Sequence, residues 1–425
     1  MTPMLTGFRV LDLTQFVAGP TCTRIMAELG ADVVKVELSP TGDHARQSGL
    51  RARGKNLENC TQSTYFFQHN HSKRSLAIDL KNPKGQALLK KMLPKFDVLV
   101  ENFAPGAVAR MGLDYDTVKE INPRIVMCSI SMAGQTGELS TQPGFDYMAS
   151  AYGGITSAIG EGDRGPVQVP IAMGDSATGV SAAMAVGFAL LHRERNGEGQ
   201  HIDCSLLDTY VQMHEELIPR VSIRGKEAIP PRSGSQHFNG GPTGVFDAGD
   251  GSYIQIMVMP YQWKRIVAAM DMPQLVDDPK FKSPRDRRTN RYELEKIIEN
   301  WMASLPGRDA VLNALWKERV PAAPVLELDE VIEHPHLRER GSIREIDDPY
   351  LGNFSIPGKP PSFSEWTYKT RLKAPLLGED NFTILQEFCG LSADDVQKLH
   401  DQNVLVADQR ANQPVSSLSN NEPKD

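Results

Sequence analysis

Cysteine is scarce in this sequence: there are five in 425 residues, Cys22, Cys60, Cys128, Cys204 and Cys389. They form no CxxC pair and keep no metal-ligand spacing with histidine, which excludes a disulfide scaffold and a zinc or thiol-redox motif. An odd, dispersed set reads as reduced thiols inside a cell, with Cys128 and Cys204 as small packing residues. Long hydrophobic runs are also missing. The longest charge-free apolar span, Val180 to Leu191, is too short to cross a bilayer, and "MTPMLTGFRVLDL" lacks the basic and apolar regions of a signal peptide. We therefore expect a cytoplasmic protein with no membrane partner. Positive charge is not in excess: 46 Lys and Arg against 53 Asp and Glu leave a net charge of -7, which argues against nucleic acid as a partner. What is present, 40% hydrophobic and 23% charged residues, is an ordinary globular composition in a chain longer than one core suits.

From Phe8 onward, short β-rich runs alternate with helical patterns. "FRVLDL", "ADVVKVEL", "SLAIDL", "FDVLVENF" and "IVMCSISM" read as strands, separated by "GPTCTRIMAELG", "NPKGQALLKKMLPK" and "YDTVKEINPR" as helices. Strands alternating with helices of about ten residues imply a doubly wound parallel sheet covered on both faces. After Asp203 the rhythm changes. "LLDTYVQMHEELIPRVSIRG" reads as one long helical stretch, followed by a Pro/Gly/Ser-rich loop and then a hairpin with Asp250-Gly251 at its turn. The expected partition is a large α/β domain (1–210), a linker with a glycine-containing loop (211–239) and a small α+β domain (240–325). A return linker and C-terminal part of the large domain (326–406) and a disordered tail (407–425) complete it.

Four stretches carry candidate chemistry, each beside a plainer reading. "LTQFVAGPTC" is a strand-to-helix turn that lacks the GxGxxG pattern but could offer backbone N–H groups to an anion, or be a tight structural turn. "VENFAPGAVARMG" brings Asn102, Phe103 and Arg110 to a strand end, suited to a base and phosphates or simply to solvent. "HSKRSLAIDLKNPKG" clusters Lys73, Arg74, Lys81 and Lys84 as a phosphate patch or a solvated face. "GDSATG" places Asp175 ahead of small residues, where a carboxylate can cap the helix or act as a covalent nucleophile.

In this order and spacing the stretches resemble the class III coenzyme A-transferases, the family of formyl-CoA transferase. Further matching text is "GDHAR", "GQTG", "PGFDY", "RNGEGQHIDCSLLD" and "APLLGED", so that the likeness runs from Gly7 to about Val406. The resemblance implies that Asp175 attacks an acyl-CoA thioester to give a mixed anhydride and then an aspartyl-CoA thioester, with coenzyme A a substrate and no cofactor permanently bound. It implies CoA contacts at Phe16, Val17, Ala18, Ile78, Lys81, Asn102, Phe103 and Arg110, and an acidic position near the active site at Asp146. "SQHFNGGPTG", with Asn239, Gly240 and Gly241, matches in place a loop that closes over the intermediate. It also implies an interlocked homodimer.

Two departures bear on substrate. Val17 and Leu38 stand where formyl-CoA transferase has a glutamine and an arginine, which turns the expectation from oxalate toward another small carboxylic or dicarboxylic acid, with succinyl-CoA or acetyl-CoA as donor. Arg46, His44, Arg164, His237 and Asn239 are candidate substrate contacts. The α-methylacyl-CoA racemases, the rival reading, place a histidine base where this chain has Phe145, which can take no proton. A catalytically idle CoA-binding protein, the other rival, would tolerate Asp175→Asn as a mere cap.

Overall fold

Six apolar runs form one parallel sheet in the order β3-β2-β1-β4-β5-β6. The strands are β1 (Arg9–Leu13), β2 (Asp32–Leu38), β3 (Arg74–Ile78), β4 (Val98–Glu101), β5 (Val126–Ser131) and β6 (His201–Ser205). β4 and β5 are buried along their whole length, as strands covered on both faces must be. Leu11 of β1 stands beside Val34 on one side and Leu99 on the other, and side chains such as Leu13, Val36 and Leu76 build the core with Phe388 and Ile384 of a C-terminal helix. The strand order reverses between β1 and β4. In an open parallel sheet, the crevice for a ligand lies at the carboxyl ends of the strands at that switch point.

This computed structural model describes residues 2–52, 57, 60–239, 241–358, 361–368 and 372–411. They fall into two compact units. The first comprises Met1–Gly153, Pro170–Met213 and Pro335–Asp425, and the second comprises Gly154–Val169 and His214–His334. The first holds the sheet, α1 (Ala18–Glu28), α2 (Asp146–Tyr152), α3 (Met173–Asn196) and α4 (Leu206–Gln212). The second has a small antiparallel sheet of β7 (Thr243–Asp247), β8 (Tyr253–Met257) and β9 (Ala322–Pro324), with a core that includes Phe246, Ile254, Trp263, Trp301 and Leu315.

Several expectations need correction. The stretch after Asp203 is two helices, α4 and Leu217–Arg224. Pro219 cannot donate the N–H that a continuous helix needs, but it is tolerated in the first turn of a new one. The Asp250-Gly251 hairpin exists, yet its loop is longer than two residues, since the last pair is Asp247 with Tyr253. The second unit takes in residues 154–169 and runs on to His334, past the boundaries read from sequence. The expected tail begins as ordered chain: the Asp408 carboxylate accepts both Thr61 N and Thr61 Oγ1 at 2.8 Å, and only residues 412–425 of that tail lie outside the described residues. Finally, the apolar span at Val180 belongs to a 24-residue helix that by length and composition alone could cross a bilayer. Its small residues are there for packing on α1, as the site makes plain.

Candidate functional site

At the switch point the ends of β1, β4 and β5 surround a cavity of about 340 Å³ lined by Phe16, Val17, Ala18, Asn102, Phe103 and Asp175 among others. Two turns form its floor and are stitched together. Gln15 N donates to Asn102 Oδ1 at 2.7 Å, and Asn102 Nδ2 donates to Gln15 O at 2.8 Å. The Asn102 amide thus joins the turns, a structural job that the reading of it as a ligand contact did not foresee. Phe103 N donates to Glu101 Oε2 at 2.8 Å, which fixes the second turn to its own strand.

Asp175 is not the cap of its helix. α3 begins two residues earlier, with Ala172 at the N-cap position and no side-chain cap. The carboxylate therefore sits in the first helical turn, where the helix dipole favours negative charge. Two glycines let it approach the cavity. A Cβ on Gly174 would lie 2.2 Å from the Tyr210 ring and 2.5 Å from Asp146 Oδ1, and one on Gly179 would lie 2.6 Å from the Ala18 carbonyl oxygen. The small residues of "GDSATG" are thus what lets α3 press on the opening of α1 on one side and on α2 and α4 on the other.

Beside Asp175, Tyr210 OH donates to Asp146 Oδ1 at 2.6 Å and accepts from Gly174 N at 3.0 Å. Asp146 Oδ2 is buried without a hydrogen-bond partner among the described residues. Burial raises the Asp146 pKa more than Tyr210 and the N–H groups of Asp175 and Gly174 lower it. Burial, and then the Asp146 charge, push the Asp175 carboxyl up to about 7. The result is a half-buried carboxylate poised between its charge states at neutral pH, with no cation among the described residues to lower its pKa and a cavity in front of it. Such a group can attack an electrophilic carbonyl.

Ile78 is fully buried in β3, so its side chain is part of the core and not of the cavity wall. Lys81 and Arg110 are exposed on the segments that follow β3 and β4, outside this cavity. Arg46 is not open to a substrate: its Nε and Nη2 each donate to Glu37 at 2.7 Å, and its guanidinium lies 3.5 Å over the Phe66 ring. The basic cluster is no patch either. Lys73 is buried against Asp12 at 2.9 Å, Arg74 pairs with Asp32 and Glu387, and Lys84 donates to Gln402. Asn239, Gly241, His237 and Arg164 belong to the second unit, where Gly241 O accepts from Arg287 Nε at 3.0 Å, and Gly240 lies outside the described residues. Tyr210 and Gln15 were missed, since a tyrosine in an amphipathic helix and a glutamine in a turn carry no mark of their own.

The family model described as CoA-transferase family III matches residues 5–381. The chain is similar to a succinyl-CoA:glutarate CoA-transferase from Homo sapiens, with 34% identity over 90% of this chain and 85% of that one. It is also similar to a succinyl-CoA–D-citramalate CoA-transferase from Chloroflexus aurantiacus, with 32% identity over 94% of this chain and 98% of that one. Among solved structures, a CAIB/BAIF family protein from Brucella suis matches with a TM-score of 0.79 and 31% identity, covering 91% of this chain and all of that one.

Proposed function

The chain belongs to CoA-transferase family III, and we propose that this enzyme moves CoA from succinyl-CoA or acetyl-CoA to a small carboxylic acid, a dicarboxylate foremost, through a covalent intermediate on Asp175. One observation carries the reading: the Asp175 carboxylate faces the switch-point cavity with its pKa raised to about 7. An Asp175 oxygen attacks the thioester carbonyl, the C–S bond breaks, and CoA leaves as thiolate, so that a mixed anhydride stands on Asp175. The thiolate then attacks the Asp175 γ-carbonyl and expels the donor acid, which leaves an aspartyl-CoA thioester. An acceptor carboxylate repeats the two exchanges in reverse and departs as its CoA thioester. Each step trades one activated acyl group for another, so the chain's own task is to bind, orient and keep water out.

Phe16, Val17, Ala18 and Phe103 shape the thioester end of the site in this reading. Exposed Lys81 and Arg110, on the segments that follow β3 and β4, are the cations this reading offers to the phosphate groups of CoA. Succinyl-CoA is favoured as donor because the human and Chloroflexus aurantiacus relatives carry names that pair it with a dicarboxylate. The scattered free cysteines suit a cytoplasmic setting. A homodimer accounts for the apolar stripe that α3 leaves exposed, formed by Val180, Met184, Phe188 and Leu191. Light scattering should then find a dimer that Phe188→Asp weakens.

The deciding experiment is mass spectrometry of the peptide that contains Asp175 after incubation with succinyl-CoA and hydroxylamine. A hydroxamate on Asp175 that depends on acyl-CoA is expected. An unmodified peptide in protein that is turning over glutarate and succinyl-CoA would reject the covalent route.

A further inference from the structure

One wall of the cavity is built on a residue in a costly conformation. Phe16 has φ +63°, in the left-handed region that a bulky side chain rarely adopts. Its N–H donates to Asp43 Oδ1 at 3.1 Å, and the same oxygen accepts from Ala45 N at 2.9 Å. Asp43 Oδ2 lies 2.9 Å from Lys35 Nζ, with both side chains buried. Lys35 Nζ in turn donates to Thr14 O at 2.8 Å. A single buried ion pair thus grips the β1–α1 turn at both ends, by the carbonyl of Thr14 and by the N–H of Phe16.

The segment that carries Asp43 is itself anchored. Glu37 Oε2 accepts Asp43 N at 3.1 Å as well as Arg46 Nε, so the ion pair of Arg46 with Glu37 fixes where Asp43 stands. His44 completes the support from the other side, its ring stacked on that of Phe16 with centroids 5.6 Å apart and planes 16° from parallel. "GDHAR" therefore acts as a brace: Asp43 on the backbone of Phe16, His44 on its ring, Arg46 at the root.

We propose that Asp43, backed by Lys35, is a positioning residue that holds Phe16 left-handed, so that Phe16, Val17 and Ala18 turn their cavity face toward Asp175. In its ligand test, this inference rests on the acyl-CoA reading of the cavity. Its conformational test does not. A buried ion pair serving stability alone would matter equally whatever residue occupied position 16. A brace matters because position 16 is strained, and glycine there removes the strain.

The experiment compares wild type with Asp43→Ala, Phe16→Gly and the double variant, by hydrogen–deuterium exchange of peptides across residues 13–19 and by CoA affinity. Asp43→Ala should speed exchange in that peptide about tenfold, leave peptides of β4 and β5 unchanged, and weaken CoA binding about tenfold or more. In the Phe16→Gly background the same Asp43→Ala change should have less than a threefold effect on either readout. Unchanged exchange at 13–19 in Asp43→Ala, or equal effects in both backgrounds, overturns the proposal. If Asp43→Ala does not fold, Asp43→Asn takes its place. It keeps an acceptor for Phe16 N but loses the pairing with Lys35, so a severalfold faster exchange is expected and none overturns the proposal. Wild type that fails to bind CoA would sink the functional reading, while the exchange data still decide the brace.

Discussion

Buried carboxylates occur in two settings within the first unit, and they titrate in opposite directions. Under the β1–α1 turn, Asp12 accepts from Lys73 Nζ at 2.9 Å and from Thr14 and Thr23, and although burial pulls its pKa up, Lys73 and Lys35 bring it down to about 2. Burial opposes ionisation of Glu37 as well, and Arg46 overrides it. For Asp146 and Asp175 no cation among the described residues offsets burial, and both are raised. Burial is common to all four, so the placement of cations decides which acids are locked as charges and which stay near neutrality. The first kind holds the scaffold; the second is suited to react.

The largest effect should come from the reactive setting. Among the described residues Asp175→Asn breaks no side-chain hydrogen bond, and it removes a carboxyl that the fold disfavours as a charge, so thermal unfolding at neutral pH should come at or above the wild-type temperature, while CoA transfer in the proposed mechanism should fall by about a thousandfold or more. A rate near that of wild type would move the chemistry away from this residue and leave the idle-binder reading standing. The scaffold setting should answer the other way. Arg46→Leu strands Glu37 as an unpaired buried charge, at a cost of about 3 to 5 kcal/mol in urea unfolding. Arg46→Lys should recover part of that, because one ammonium cannot span both carboxylate oxygens. If Arg46→Leu left stability intact and raised only the KM of the acceptor acid, the role of substrate contact read from sequence would return.

Asp12 gives the smaller test of the same contrast. Its folded pKa of about 2 lies below the ordinary 3.8, so its stabilisation is present above pH 4 and lost as the pH falls through 2. Unfolding free energy measured between pH 5 and 2 should therefore fall by about 2 kcal/mol more in wild type than in Asp12→Asn. Identical slopes would mean that Asp12 is no better charged in the fold than outside it.

The strands, the parallel sheet and its crevice were legible in the sequence because β-rich runs and helical spacing are local signals. Asp175, Phe16, Val17, Ala18 and Phe103, which line one cavity, were brought together in the sequence only by the family resemblance that their motifs carry. What could not be read was which charge meets which. Lys73 and Arg74 are adjacent, yet the chain entering β3 sends Lys73 into a buried pair and Arg74, the first residue of the strand, to surface carboxylates. Arg46 looked like a substrate contact because its partner, Glu37, lies on β2 and is brought close by the turn between them. The start of α3 was misplaced for a similar reason: Asp175 has the chemistry of a cap, but Tyr210, distant in sequence, takes up Gly174 N and lets the helix begin earlier.

The finest distinction lies within the reactive pair. In the proposed mechanism Asp175 attacks only when ionised, and its pKa of about 7 means that the rate should climb as the pH rises through neutrality and level off above it. Burial, the larger cause, is untouched by Asp146→Asn. The smaller cause, the negative charge of Asp146, is removed, while the asparagine Oδ1 still accepts the Tyr210 hydroxyl and preserves the packing at Gly174. Loss of a negative neighbour favours the ionised form, so the rising limb should move to lower pH by about half to one unit. The plateau should drop as well, because a less basic carboxylate is a weaker nucleophile. A limb that stays in place would mean that Asp146 keeps its proton across the range and burial alone sets Asp175. A limb that moves up would mean that Asp146 acts through the N–H groups of the first turn, holding them where they support the nucleophile's charge.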